Sequence, residues 1–203
     1  MTTRLKVYNE ALRMCGERSI ASLTEAREPR YLLDEVYSNG GYDFCLAQGF
    51  WQFATKSVQF DYDTDITPAF GLQRAFSKPT DWVKTSAVCS DEHYQSPLLQ
   101  YYDEAGYWYA DIDTIYVKYV SNATDYGYDL SIWPQPFADY VAAHFASRIV
   151  TKLTSDENKK ETIERDKKKL LLLAKNHDGS SQPQQFPARG NWASSRGRSM
   201  ARS

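Results

Sequence analysis

A mainly α protein with a four-helix body, an inserted antiparallel β region and an extended C-terminal arm is the fold class that the sequence predicts. Three observations carry it. Apolar residues recur at helical spacing near both ends of residues 1–177, and they alternate between about 50 and 122. After 177 the periodicity stops and Gly, Ser, Gln and Pro take over, a composition that cannot bury enough surface to fold alone.

The first helix is expected over 3–15, where Leu5, Tyr8, Leu12 and Cys15 form one stripe and Gly16 stands ready to cap the end. Ile20 and Leu23 fall in a connector. Pro29 suits the first turn of a second helix, since its missing amide has no intrahelical acceptor there. That helix is expected over 29–48, its stripe continued by Leu33, Tyr37, Phe44 and Ala47 or Gln48. Gly40 and Gly41 each weaken a helix interior by about 1 kcal/mol relative to alanine, so a kink or close helix contact is expected at them.

The period then changes. Trp51 and Phe53 alternate, as do Val58, Phe60 and Tyr62, which opens the β region. Over 98–120, the segments LLQYY, YWYA and TIYVKYV are separated by the turn-forming Asp103–Gly106 and Asp111–Asp113, which predicts an antiparallel meander. Phe137, Val141, Phe145, Ile149 and Leu153 repeat every four residues, giving a helix over 135–153 that Pro134 and Pro136 introduce and Thr154-Ser155-Asp156 ends. A fourth helix over 156–176 turns Ile163, Leu170 and Ala174 inward, with Glu161–Arg165 and Glu164–Lys168 spaced as i,i+4 pairs and Lys167-Lys168-Lys169 as a solvated face. Residues 178–203 form the arm. It carries Arg189, Arg196, Arg198 and Arg202 against Asp178, and fully extended could reach on the order of 85 Å.

Composition narrows the function classes. The chain holds 24 Lys plus Arg against 26 Asp plus Glu, which argues against a globally basic nucleic-acid binder. No window reaches the length of apolar residues that a bilayer requires, and the N-terminal residues lack the apolar stretch of a signal peptide, so a soluble product made in a cytoplasm is expected. Cys15, Cys45 and Cys89 have no Cys-x-x-Cys spacing and read as reduced core thiols. The 15 Tyr, 9 Phe and 5 Trp suit half-buried sheet and interface positions.

Searching for chemistry selects no catalytic, cofactor-binding or metal-binding residue, and no cofactor is expected. Asp61, Asp63 and Asp65 are spaced like the start of an EF-hand loop, but Ile66 and Leu72 stand where that loop needs glycine and glutamate. His93, His144 and His177 have no partner at ligand spacing, and His144 reads as a surface or interface residue. There is no nucleophile elbow and no phosphate-cradling loop. Two suitably separated carboxylates would suffice for a glycosidase, yet nothing selects a pair. In the arm, Phe186 and Trp192 among the arginines fit an acidic protein groove better than nucleic acid, because the basic residues are sparse.

The order of several motifs carries a resemblance. Asn9-x-Ala11-Leu12 with Gly16, Ile20-x-Ser22-Leu23, Leu46 before Trp51-x-Phe53-Ala54, Pro79-x-Asp81-Trp82, Leu153-Thr154, the charged fourth helix, and Trp192 with Arg196 follow one another over roughly residues 3–200. In this the chain resembles the head-to-tail adaptor family of short-tailed bacteriophages, also called tail tubular protein A. Gly40-Gly41 stands where that resemblance would place a charged pair. It implies a helical bundle with an inserted β region, located in the virion neck and assembled as a ring of about twelve copies between the portal protein and the tail nozzle protein. DNA would pass through the lumen without specific binding, and no membrane is involved. It also implies that the arm docks on the portal, with Phe186, Arg189, Trp192, Arg196, Arg198 and Arg202 as the portal-binding residues. A virion-associated peptidoglycan-degrading glycosidase is the alternative, motivated by the carboxylates and sugar-stacking rings; a nucleic-acid-binding module acting through the arm is a third reading.

Overall fold

The computed structural model describes residues 1–68, 71–104 and 106–181. It overturns the mainly α, four-helix class. Among the described residues the fold is mixed, 45% helical, with five α-helices, and 20% strand in two three-stranded antiparallel sheets. In chain order the elements are α1 (Arg4–Cys15), α2 (Glu28–Ser38), α3 (Gly41–Ala47), β1 (Thr55–Asp61), β2 (Arg74–Ser77), β3 (Trp82–Cys89), β4 (Tyr102–Glu104), β5 (Tyr107–Ala110), β6 (Thr114–Ser121), α4 (Gln135–Thr154) and α5 (Glu157–Ser180).

The single helix expected over 29–48 is two because Gly40 sits in the left-handed region at φ 76°, where intrahelical hydrogen bonding cannot continue. Asn39 caps α2 and α3 restarts at Gly41. Gly41 is held close: a β-carbon there would lie 2.8 Å from the Val36 carbonyl oxygen and 2.9 Å from the Phe145 ring. Gly40 by contrast has room, and its cost is purely conformational. Gly40→Ala is therefore expected to lower the unfolding free energy by about 1 kcal/mol, read from the urea midpoint with an unchanged slope.

The helical lobe is built around α4, which packs against α1, α2, α3 and α5. Its sequence is apolar on most sides, and Phe137, Val141, Phe145 and Ile149 are all buried together with Tyr140 and Ala142. In α1 the Thr3 hydroxyl accepts from the Lys6 amide (3.3 Å) and Gly16 ends the helix at φ 72°. Ser155 adopts φ 52°, which breaks the path between α4 and α5, and the Asp156 carboxylate accepts from the amides of Asn158 and Lys159 to start α5. The Glu164–Lys168 pair is replaced by Glu164–Lys167 at 2.6 Å, which draws Lys167 out of the expected solvated face. α5 runs through Ser180, so the first residues assigned to the arm continue the helix; the Asp178 carboxylate accepts from the Gln52 amide at 2.9 Å and ties that end to the body.

The β lobe has its own core. One sheet has the order β1-β6-β3 and the other β2-β5-β4. The meander expected over 98–120 therefore does not form as one sheet: β4 pairs with β5, but β6 leaves to lie between β1 and β3. Ile115, Val117 and Tyr119 of β6 face Trp108 and Phe76 of the other sheet, while the adjacent Val120 belongs to the helical core. Trp51 and Phe53 are not strand residues either. A 3-10 turn at Gln52–Ala54 buries Trp51, whose indole N–H donates to the Leu46 carbonyl (3.0 Å).

Candidate interaction surface

The residues assigned to portal binding, Phe186, Arg189, Trp192, Arg196, Arg198 and Arg202, lie outside the described residues. The surface from which they depart is described. Along α5, Leu170 and Leu173 line two adjoining open clefts, each of about 500 Å³. One continues over Met14 and Ile163 toward Lys159, and the other over Pro136 toward His177 and Ser180. Leu173 is 56% exposed and Leu172 60% exposed, although Leu171 packs against the core. A signal for this strip was present in the run Leu170-Leu171-Leu172-Leu173: four consecutive helix positions are spread over about 300° around the axis, so they cannot all face inward. A second apolar spot lies in the β lobe, where Leu99 is 93% exposed and Tyr102 half exposed.

The carboxylates inside the body are matched by donors. Asp34 joins the Arg4 and Arg30 guanidiniums, each at 2.6 Å, and accepts from the Tyr8 hydroxyl at 2.9 Å, while Arg4 also stacks over Tyr37. Asp103 accepts from Lys78 and Thr85, both at 2.5 Å, and the same Thr85 oxygen accepts from the indoles of Trp82 and Trp108. Asp81 accepts from Ser121 (2.6 Å) and Lys56 (3.0 Å) and from Tyr119. Burial pushes the Asp81 carboxyl up, but these donors outweigh it and hold it below the usual range. Asp81, just before β3, thereby ties β1 to β6. Asp81→Ala strands three donors and is expected to lower stability by about 2 kcal/mol, measured by denaturant unfolding. Asp178 differs, since burial raises its carboxyl.

His144 is not the surface residue that its place beside the apolar stripe suggested. It is 3% exposed, stacked on Phe44 with ring centroids 4.5 Å apart, and its Nδ1 has no hydrogen-bond partner among the described residues. Burial, reinforced by Lys167 and Arg148, lowers its pKa to about 4. The three cysteines are buried thiols, and burial pushes Cys15 up to about 11, away from the reactive thiolate. Among the described residues no group of three or more His, Cys, Asp and Glu is arranged to hold a metal, and no helix is long and apolar enough to cross a membrane. The chain matches no protein-family model and no curated protein.

Proposed function

We propose that the chain is a structural head-to-tail adaptor of a short-tailed phage virion, forming a ring between the portal protein and the tail nozzle protein through which DNA passes. The observation that carries the reading is the apolar strip on α5, left uncovered by the other described residues, near the point where the helix hands over to the arginine-bearing residues 182–203. The other described residues leave that strip open, which favours a surface made for another segment of protein. The exposed Leu99 and Tyr102 supply a separate apolar spot on the other lobe, as a connector with more than one neighbour requires. The ordered motifs from Asn9 to Arg196 support the same assignment.

In this reading the arginines and Trp192 anchor the chain to the portal, and copies close into a ring through head-to-tail contacts. Electron micrographs of the purified chain mixed with its portal are expected to show a ring capping the portal. Replacing Arg189, Arg196, Arg198 and Arg202 together by serine is expected to abolish capping and leave the chain folded. Capping undiminished by that change would remove the arm from the mechanism, and absence of capping by the unaltered chain would overturn the function.

A further inference from the structure

We infer that the outer edge of β1 pairs with the same edge of a second copy of the chain, antiparallel about Gln59, to give a two-fold dimer that shares one six-stranded sheet. The pairing concerns the chain without portal, so it neither needs the connector reading nor falls with it.

Ladder parity fixes what that edge offers. The Tyr62 amide donates to the Asp113 carbonyl at 3.0 Å, one step beyond the last pair of β1 and β6 and in the same register. Hydrogen-bonded pairs alternate along an antiparallel ladder, so Lys56, Val58 and Phe60 turn their amides and carbonyls toward β6, while Ser57, Gln59 and Asp61 turn theirs away. None of these outward groups has a hydrogen-bond partner among the described residues, and all three residues are exposed. The other edges are blunted. β3 shifts register twice and is capped where the Leu98 amide donates to the Val88 carbonyl at 2.9 Å. β2 is met by the Asp63 amide, which donates to the Ala75 carbonyl at 2.7 Å, and β4 is three residues long. By contrast β1 has seven residues with no proline, glycine or bulge, and its lysine, Lys56, is turned to Asp81 at 3.0 Å. Such an edge is a template for another strand.

The occupant follows from β1 set against itself. With Gln59 on the axis, Ser57 stands opposite Asp61 and Val58 opposite Phe60, each pair occurring twice. The Asp61 Oδ1 accepts from the Thr114 hydroxyl at 2.7 Å, and its Oδ2, which has no partner among the described residues, is placed to accept from the Ser57 hydroxyl of the copy. The Gln59 amide holds both a donor and an acceptor, as a side chain facing its own copy requires. Val58 and Phe60 are only partly buried against the β-lobe core, and pairing covers them further. No like charges stand opposite one another. The two Asp61 positions lie about 13 Å apart along the strands, beyond the screening length at physiological salt. The blunted β3 edges end up at both outer sides of the joint sheet, which stops growth at two copies.

The test uses the full chain without portal. Sedimentation is expected to show a dimer at about 100 μM. Gln59→Lys puts two ammonium groups on the axis and is expected to weaken dimerisation by about tenfold or more, with the melting temperature reporting that the fold is kept. Gln59→Cys is expected to give a disulfide-linked dimer on mild oxidation, because opposed residues of a hydrogen-bonded pair lie about 5.5 Å apart at Cα. Ser57→Cys, which sits opposite position 61 and not its own copy, is expected to stay at the background that the unaltered chain sets through Cys15, Cys45 and Cys89. A monomer at about 100 μM would leave the edge to a strand of some other protein and overturn the self-pairing. So would a dimer whose dissociation Gln59→Lys leaves unmoved, which would assign the contact to another surface, or cross-linking as fast at position 57 as at 59.

Discussion

Replacing Phe137 by alanine is expected to lower the unfolding free energy by about 4 kcal/mol and the melting temperature by roughly 10 °C. The residue is 1% exposed, and its ring is the junction of the helical core, with centroids 4.7 Å from Trp51, 4.9 Å from Phe53 and 4.9 Å from Trp133. Truncation removes those edge-to-face and tilted contacts and leaves a cavity among rigid rings that cannot collapse to fill it. Phe44, 48% exposed on α3, is the comparison: Phe44→Ala should cost under about 1 kcal/mol. Equal losses at the two positions, measured by calorimetry and denaturant, would show that the aromatic junction is not what holds α4 in place.

Acidification is expected to remove up to about 3 kcal/mol of stability through His144 alone. The folded pKa, about 4, lies below the ordinary value of 6.5. Above pH 6.5 the imidazole is neutral in both states and the stability is fully present. As pH falls from 6.5 toward 4, the unfolded chain takes up a proton that the folded chain refuses, and stability declines until the folded imidazole titrates too. Burial is the main cause of the refusal, and the charges facing the ring add to it. Lys167 from α5 and Arg148 from α4 oppose a further cation, and Glu164 only partly offsets them. Carboxylates held low by their donors, Glu164 and Asp81, add a loss that sets in only nearer pH 4. His144→Gln is therefore expected to flatten the unfolding free energy between pH 6.5 and 5 relative to the unaltered chain; parallel curves would place the proton linkage elsewhere.

How much of the molecule could be read in advance depended on whether the cause was local. The Leu5, Tyr8, Leu12 and Cys15 stripe with Gly16, and the four-residue repeat from Phe137 to Leu153, are local periodicities that coincide with α1 and α4. The break at Gly40 was visible as a weakness, but only a φ of 76° turns a weak helix into two. Pairing was not legible. β4, β5 and β6 follow one another closely, yet β6 pairs with β1 and β3 because Val58 and Val88 flank Val117 across the register, a long-range match that alternation alone does not encode. β3 hid its alternation behind two register shifts, between Trp82 and Lys84 and between Thr85 and Ala87. His144 was misjudged because α4 is enclosed on more than one face: α5 and Phe44 cover the side that a single stripe leaves to water. The strip on α5 was written in four consecutive leucines, whereas its position beside the last turn required the folded coordinates.

The division of β6 between two cores has a mechanical consequence. Tyr119 is seated among the rings of the sheet lobe and Val120 among the helices, so peeling the strand from either side loosens both. The chain should melt in one heat-absorption peak. A pull on the sheets should pass along this strand into the helices instead of being absorbed at a hinge.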